Sequence, residues 1–349
     1  MAETSCLEVV DPTGVSGWDE LVSCHPETTV FHTSSWARVL SSTYGYRPTY
    51  FMWVEGGKII ALLPFMEIRS WLTKTRGVSL PFTDECVPIL ANGLSYLEVL
   101  PPVIDFAESR SWKTLEFRGR ARGMSNLPVA AEYLSHEVDL SGGEEETCSR
   151  IRDNAQRNVR KAEREGVSAE PDRTPAGMRE FYRLNCLTRK EHGLPPQPVR
   201  FFENIREHIL NKGLGTLLLA RYRGKPISGA VFLHFGQKAI YKYGASDRSY
   251  QHLRGNNLVF RVGIRLLCSQ KFRTLSFGRT DLHHEGLRQF KLSWGATEKS
   301  LQYVRYDVQS KAYLRTKKNR GKVPWETTLS KLPIPVLKFI GSIAYRHVG

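Results

Sequence analysis

Apolar and polar positions alternate along this chain in short runs, and the runs break at glycines. Tyr50 to Met66 alternates on either side of Glu55-Gly56-Gly57-Lys58, and Thr216 to Phe235 alternates on either side of Arg223-Gly224-Lys225-Pro226. A period of two around a glycine-bearing turn predicts an antiparallel hairpin at each place. In the second region the pattern predicts strands over Gly213 to Tyr222, Pro226 to Phe235 and Lys238 to Ala245. Asn257 to Ser269 then carries Leu258, Val262, Leu266 and Cys268 near helical spacing, and a strand follows over Thr274 to Gly278.

The hairpins belong to a weak internal repeat. Lys113-Thr114-Leu115-Glu116-Phe117 resembles Arg273-Thr274-Leu275-Ser276-Phe277 at an offset of 160 positions, each copy preceded by an aromatic residue, Trp112 or Phe272. The same offset aligns Gly17-Trp18-Asp19-Glu20-Leu21 with Gly177-Met178-Arg179-Glu180-Phe181. Each half reads helix, helix, antiparallel hairpin, helix, strand, which predicts an α+β fold with a mixed β-sheet flanked by helices in each half. Ser141-Gly142-Gly143-Glu144-Glu145-Glu146 has no buried pattern and marks the joint. The expected divisions are 1–143, 144–309 and a tail over 310–349.

Composition narrows the class. With 349 residues, 41% hydrophobic and 24% charged, each half is long enough to bury its own core. No basic region followed by an apolar run opens the sequence, and no stretch approaches the ~18 apolar residues of a spanning helix, so a cytoplasmic protein is expected. Six scattered cysteines lack any C-x-x-C pair or zinc spacing, which predicts reduced thiols and no metal site. The formal charge is +15, and Ser310 to Gly349 holds nine Lys/Arg against one acid, Glu326. That field favours phosphate-bearing partners, whether nucleic acid, nucleotide-linked substrate or anionic membrane. A merely solubilising role for the tail accounts for it equally. The apolar, cation-bearing run Pro335 to Arg346 is expected either at the inner membrane face or packed on the first domain.

The segment Phe277 to Ala296 leaves a strand and gathers acids, imidazoles and cations into one loop. Asp281, His283, His284 and Glu285 have ligand-type side chains, but a charged surface loop explains them better than a metal site. Over Arg150 to Gly166 a basic helix is expected, with Arg157, Arg160, Lys161 and Arg164 recurring at intervals of three and four. A solvated helical face explains that row equally well.

Gly278, Arg279, Thr280, Gly286, Phe290, Lys291, Trp294, Gly295 and Ala296 resemble the Gly-Arg-Ser/Thr…Gly…Phe-Lys…Trp-Gly-Ala signature of the FemA/FemB-like transferases, which are tandem GNAT-fold proteins. Arg150 to Gly166 is similar to the basic helix opening that family's second domain, and Asn185 to Phe202, with Thr188-Arg189-Lys190, is a third matching piece. The tail is similar to that of relatives associated with envelope-polysaccharide and exosortase systems. The resemblance implies two tandem GNAT-like domains, the second carrying the active site, and transfer of an aminoacyl group from aminoacyl-tRNA, or of an acyl group, to an amine of a cell-envelope precursor that is nucleotide- or lipid-linked. No tightly bound cofactor is implied; aminoacyl-tRNA or acyl-CoA serves as co-substrate.

Acyl transfer needs a cation or N–H donors facing the carbonyl oxygen, which gains negative charge, and a group to take the amine's proton. The family's Phe-Lys pair carries the donor site onto Phe290 and Lys291. Asp281 and Glu285 are the nearest base candidates, with His283 and His284 behind them. Arg279, His284, Arg189, Arg254, Arg157, Arg160 and Lys161 are candidate substrate-binding groups. Tyr241 and Tyr243 match an aromatic strand facing the acceptor in the family, and regular alternation places both on one face. Trp294-Gly295-Ala296 is expected to be a packing turn. His252-Leu253-Arg254-Gly255-Asn256-Asn257 keeps one glycine of the usual CoA-pyrophosphate loop and lacks the second, which weakens acyl-CoA as donor. Pro195 to Phe202 departs from the precursor-binding pattern of the bridge-forming members. Two other readings are an acyl-CoA-dependent N-acyltransferase acting on an amino sugar or small amine, and a non-catalytic RNA-binding protein.

Overall fold

The computed structural model describes residues 6–91, 93–315 and 325–349. These form two compact units. One holds the described residues up to Tyr133, 300–315 and Ala344–Gly349; the other holds Leu134–Lys299 and 325–343.

In the first unit, β1 (Cys6–Val10), α1 (Trp18–Ser23), α2 (Ser34–Tyr44), β2 (Arg47–Glu55), β3 (Lys58–Ile68), β4 (Arg76–Val78), β5 (Ile89–Leu90), α3 (Tyr96–Ser109) and β6 (Thr114–Arg118) follow in order. Thr33 starts α2 by accepting from the Trp36 amide, and Gly45 ends it at φ 72°, a conformation glycine adopts without strain. Ser95 and Glu98 close a capping box on α3. The hairpin expected around Gly56-Gly57 forms, with Glu55 opposite Lys58.

The chain continues through β7 (Ala131–Asp139), α4 (Gly143–Ser149), α5 (Asp153–Arg164), β8 (Val167–Pro171), α6 (Pro175–Glu191), α7 (Val199–Ile205), β9 (Gly215–Tyr222), β10 (Lys225–Phe235), β11 (Lys238–Ser246), α8 (Gly255–Ser269), β12 (Thr274–Asp281) and α9 (Glu285–Leu292). Then come β13 (Thr297–Asp307), β14 (Ala312–Tyr313), α10 (Trp325–Leu329) and α11 (Ile334–Val348). The expected basic helix is shorter than its sequence pattern. Arg150 and Arg152 lie in the turn before α5, where the Arg152 amide donates to the Ser293 carbonyl at 2.9 Å.

Strand order is β1-β2-β3-β4-β6-β13 in the first unit and β8-β9-β10-β11-β12-β7 in the second. The β4–β6 and β11–β12 pairs are parallel, whereas β1–β2, β2–β3, β8–β9, β9–β10 and β10–β11 are antiparallel. One mixed GNAT-like sheet is therefore built twice. The sixth strand of each sheet arrives out of sequence: β13 follows the second copy yet pairs antiparallel with β6, and β7 follows the first copy yet lies beside β12. Sequential copies and compact units are thus different divisions of the chain.

Each unit has its own core. Phe51, Phe65, Trp112, Phe117 and Val304 anchor the first. In the second, Ala155, Val159 and Ala162 of α5 and Leu258, Val259 and Ile264 of α8 pack with Phe232, Phe277 and Trp294.

Candidate active site

The β11–β12 ladder consists of Lys238–Thr274, Ala239–Leu275 and Ile240–Ser276. Because β11 runs on to Ser246 and β12 to Asp281, the two strands part beyond Ile240 and a fork opens. At its mouth Val231 opposes Tyr243 while the next residue, Phe232, opposes Tyr241, so Lys242 is the extra residue of a bulge. This bulge corrects the expectation that Tyr241 and Tyr243 share a face: one inserted residue turns them to opposite sides. Tyr241 packs on Phe232 and Phe260 at centroid distances of 5.7 and 4.5 Å. Tyr243 packs on Phe201 and Phe202 at 5.8 and 5.5 Å. Burial pushes the Tyr241 phenol well above its ordinary range, so it stays protonated. Gly244 is required beside it, since an added Cβ would run into the Tyr241 hydroxyl.

The equivalent place in the first unit is closed. The Ser79 amide continues the ladder by donating to the Glu116 carbonyl at 2.8 Å. Arg118, at the repeat position of Gly278, donates to the carbonyls of Leu80 and Thr83 at 3.4 and 3.2 Å.

On the β12 limb, Gly278 has φ 66°. Here Lys291 reaches in from α9, only 3% exposed, and its Nζ donates to the carbonyls of Gly278 and Arg279, each at 3.0 Å. Next along the strand, buried Thr280 lies 3.4 Å from Nδ1 of His136, whose Nε2 is 3.1 Å from Glu298. Burial and the Lys291 charge hold the His136 pKa below the ordinary imidazole value. Glu298 only accepts, so the neutral ring donates from Nε2–H and accepts the Thr280 hydroxyl at Nδ1. Arg288 holds Glu298 from the other side with two bonds of 2.7 and 2.9 Å, and those bonds keep its carboxyl below the usual range. Sequence reading missed His136, Glu298 and Arg288. No local spacing connects β7 to this loop; only the out-of-sequence strand brings His136 there.

The other candidates have varied surroundings. His284 caps α9, its Nδ1 accepting from the Leu287 amide at 3.2 Å. Asp281, His283 and Glu285 are exposed. Glu285 bonds to Arg288 at 3.4 Å and Gln289 at 2.6 Å. Among the described residues no three His, Cys, Asp or Glu side chains group as metal ligands. Phe290 lies half-buried against Phe260 at 5.2 Å, and Trp294 stacks on the same ring at 5.3 Å. Arg279 is exposed beside Lys291's second acceptor. Arg189 donates to the Pro195 carbonyl at 3.3 Å. Its neighbour Thr188 ties α6 to the end of β11, accepting from the Ser246 amide at 2.9 Å and donating to its carbonyl at 3.1 Å. Burial, then the charges of Arg189 and His284, push His192 below its ordinary value. Arg254 starts α8 at φ 59°. Arg157 and Arg160 are exposed and Lys161 half-buried on α5, whose Ala155, Val159 and Ala162 face the core.

The GNAT acetyltransferase domain family matches residues 149–292, a stretch that contains the fork and Lys291. The UDP-N-acetylmuramoylpentapeptide-lysine N(6)-alanyltransferase of Weissella viridescens is 20% identical over 263 residues, covering 69% of this chain and 76% of that protein. The Lipid II:glycine glycyltransferase of Staphylococcus haemolyticus is 33% identical over 98 residues, covering 26% of this chain and 23% of that protein. The chain is thus similar to FemA/FemB-like transferases, and the GNAT domain is present in it. A crystal structure of FemX gives the same fold, with a TM-score of 0.65 at 15% identity over 84% of this chain and 96% of that one. The FemA/FemB-like signature thus falls on the fork's β12 limb and on α9, with Gly278 and Lys291 in direct contact. Among the described residues, no helix is long and apolar enough to cross a membrane.

Proposed function

We propose that this chain moves an aminoacyl group from aminoacyl-tRNA to an amine of a cell-envelope precursor, within its second domain, residues 144–309. The observation that carries this reading is an open strand fork with a buried ammonium, Lys291, fixed on its β12 limb. The acceptor amine attacks the ester carbonyl carbon, a C–N bond forms, the ester C–O bond breaks, and the terminal hydroxyl of the tRNA leaves with the amine's proton. Negative charge on the carbonyl oxygen requires fixed donors, and the parted β11 limb and Lys291 supply them. Asp281 is the base candidate least engaged elsewhere, because Glu285 is held by Arg288 and Gln289. Phe290 forms an apolar wall, Arg279, His284, Arg189 and Tyr243 serve the acceptor side while Tyr241, turned to the other face, supports the fork from the core, and Arg254, Arg157, Arg160 and Lys161 meet tRNA phosphates. The relatives' names specify nucleotide-linked and lipid-linked precursors, which supports an acceptor of that class and work at the inner face of the cytoplasmic membrane.

A second reading, an acyl-CoA-dependent N-acyltransferase, is favoured by the start of α8. Gly255 lies so close to Ser228 Oγ that an added Cβ would sit 2.7 Å away, and a helix N-terminus there suits a pyrophosphate. Incubation with charged tRNA and an amine acceptor, beside thiol release from acetyl-CoA, separates the two. Transfer from charged tRNA that is lost in Lys291→Met supports the first reading; thiol release alone supports the second; silence in both defeats the enzyme reading.

A further inference from the structure

In the second unit, α6, α7 and the first turns of α11 enclose an open groove of ≈ 720 Å³. Tyr182, Leu187 and Pro198 line it, and Arg179, Arg183 and Lys338 stand along it. The helix is seated through buried Leu337 and through Gly341, which presses on the Pro196 carbonyl so closely that no Cβ fits. Turned outward are Val336, Phe339 and Ile343, 42%, 67% and 48% exposed, at helical spacings of three and four. Lys338 keeps its ammonium 5.0 Å above the Tyr182 ring. Apolar side chains at the surface with cations beside them are the composition of a helix lying in a membrane interface. The first unit has a patch of the same kind: Trp71 and Leu72 are 81% and 63% exposed on a loop flanked by Arg69 and Lys74.

We infer that α11 docks the protein on an anionic bilayer, with Val336, Phe339 and Ile343 entering the headgroup layer and Arg179 and Lys338 meeting lipid phosphates, while Arg183 stays paired with Glu180 and the Pro226 carbonyl. Charge selects this occupant. A second copy packed across a two-fold axis would set the same cations against themselves, whereas lipid phosphates neutralise them. The inference deepens the membrane placement proposed above but is independent of the transfer step. Vesicle binding is read without turnover, so failure of one leaves the other standing.

The test is sedimentation of the full chain with phosphatidylcholine vesicles, pure or containing about one-third phosphatidylglycerol, at ~0.1 M salt. Binding is expected only to the anionic vesicles. Phe339→Ser with Ile343→Ser should weaken it at least about tenfold, and Arg179→Glu with Lys338→Glu should abolish the preference for anionic lipid. Circular dichroism and thermal melting verify that each variant folds. Equal binding to both vesicles, binding to neither, or unchanged binding by the folded apolar variant overturns the proposal. So does light scattering that finds a dimer dissociated by Phe339→Ser, which would assign the face to a second copy.

Discussion

Lys291 combines two demands that ordinarily conflict, a full charge and near-complete burial, and main-chain carbonyls reconcile them. Lys291→Met keeps the length and removes the donor, so the Gly278 and Arg279 carbonyls each lose a partner. A loss of about 1–3 kcal/mol is expected in urea unfolding. Transfer under single-turnover conditions should fall about a hundredfold or more in protein that is still folded. Nearby His136 makes stability depend on pH. Its folded pKa lies below the unfolded value of about 6.5, so the folded state binds fewer protons through that window. Its contribution is present above about pH 6.5 and is lost as pH falls toward the folded pKa. His234, pushed down to about 4 by burial, acts in the same direction. His136→Gln should flatten the rise of unfolding free energy between pH 5 and 7 in denaturant titrations, and an unchanged slope would remove His136 from this account.

At the scale of the element, the bulge in β11 decides which aromatic ring belongs to which side of the sheet. Gly244 makes it possible by leaving room for the Tyr241 hydroxyl. Gly244→Ala should cost about 1–3 kcal/mol by thermal melting through overpacking, and Tyr241→Phe in the same chain should recover part of that loss by removing the hydroxyl. The pair would show no coupling if the ring simply moved aside. Thr188 acts between elements, closing two hydrogen bonds on Ser246. Thr188→Val keeps the shape and removes both; about 1–2 kcal/mol of stability should go with them in urea unfolding.

For the whole molecule, the two exchanged strands make folding of the sequential halves interdependent. A fragment ending at residue 143 lacks β13 and so leaves the edge of β6 open, without the buried Val304 and Tyr306. A fragment starting at residue 144 lacks β7 and with it Val138 and His136. Either fragment alone should be insoluble or molten, by yield and by near-ultraviolet circular dichroism, because an unpaired sheet edge and an incomplete core both favour aggregation. Two separately soluble, cooperatively melting halves would contradict this.

Local pattern was enough for the β2–β3 and β9–β10 hairpins, α8 and β12, since alternation, helical spacing and turn glycines are properties of neighbouring residues. It also exposed the repeat, because two copies of one sheet must reuse one order of elements, and the signature around Gly278 and Lys291 pointed to the loop where the fork stands. The bulge that separates Tyr241 from Tyr243 was not legible, for a single inserted residue is set by the register with β10, which the β11 sequence does not contain. Nor was His136. It comes to Thr280 and Glu298 on a strand that follows one copy and completes the other, and burial decides its protonation. By itself, then, the sequence determined the elements, their repetition and the transferase class. Tertiary structure alone decided which copy keeps an open fork, which faces the tyrosines take and what surrounds the lysine, because each depends on pairing between residues far apart in the chain.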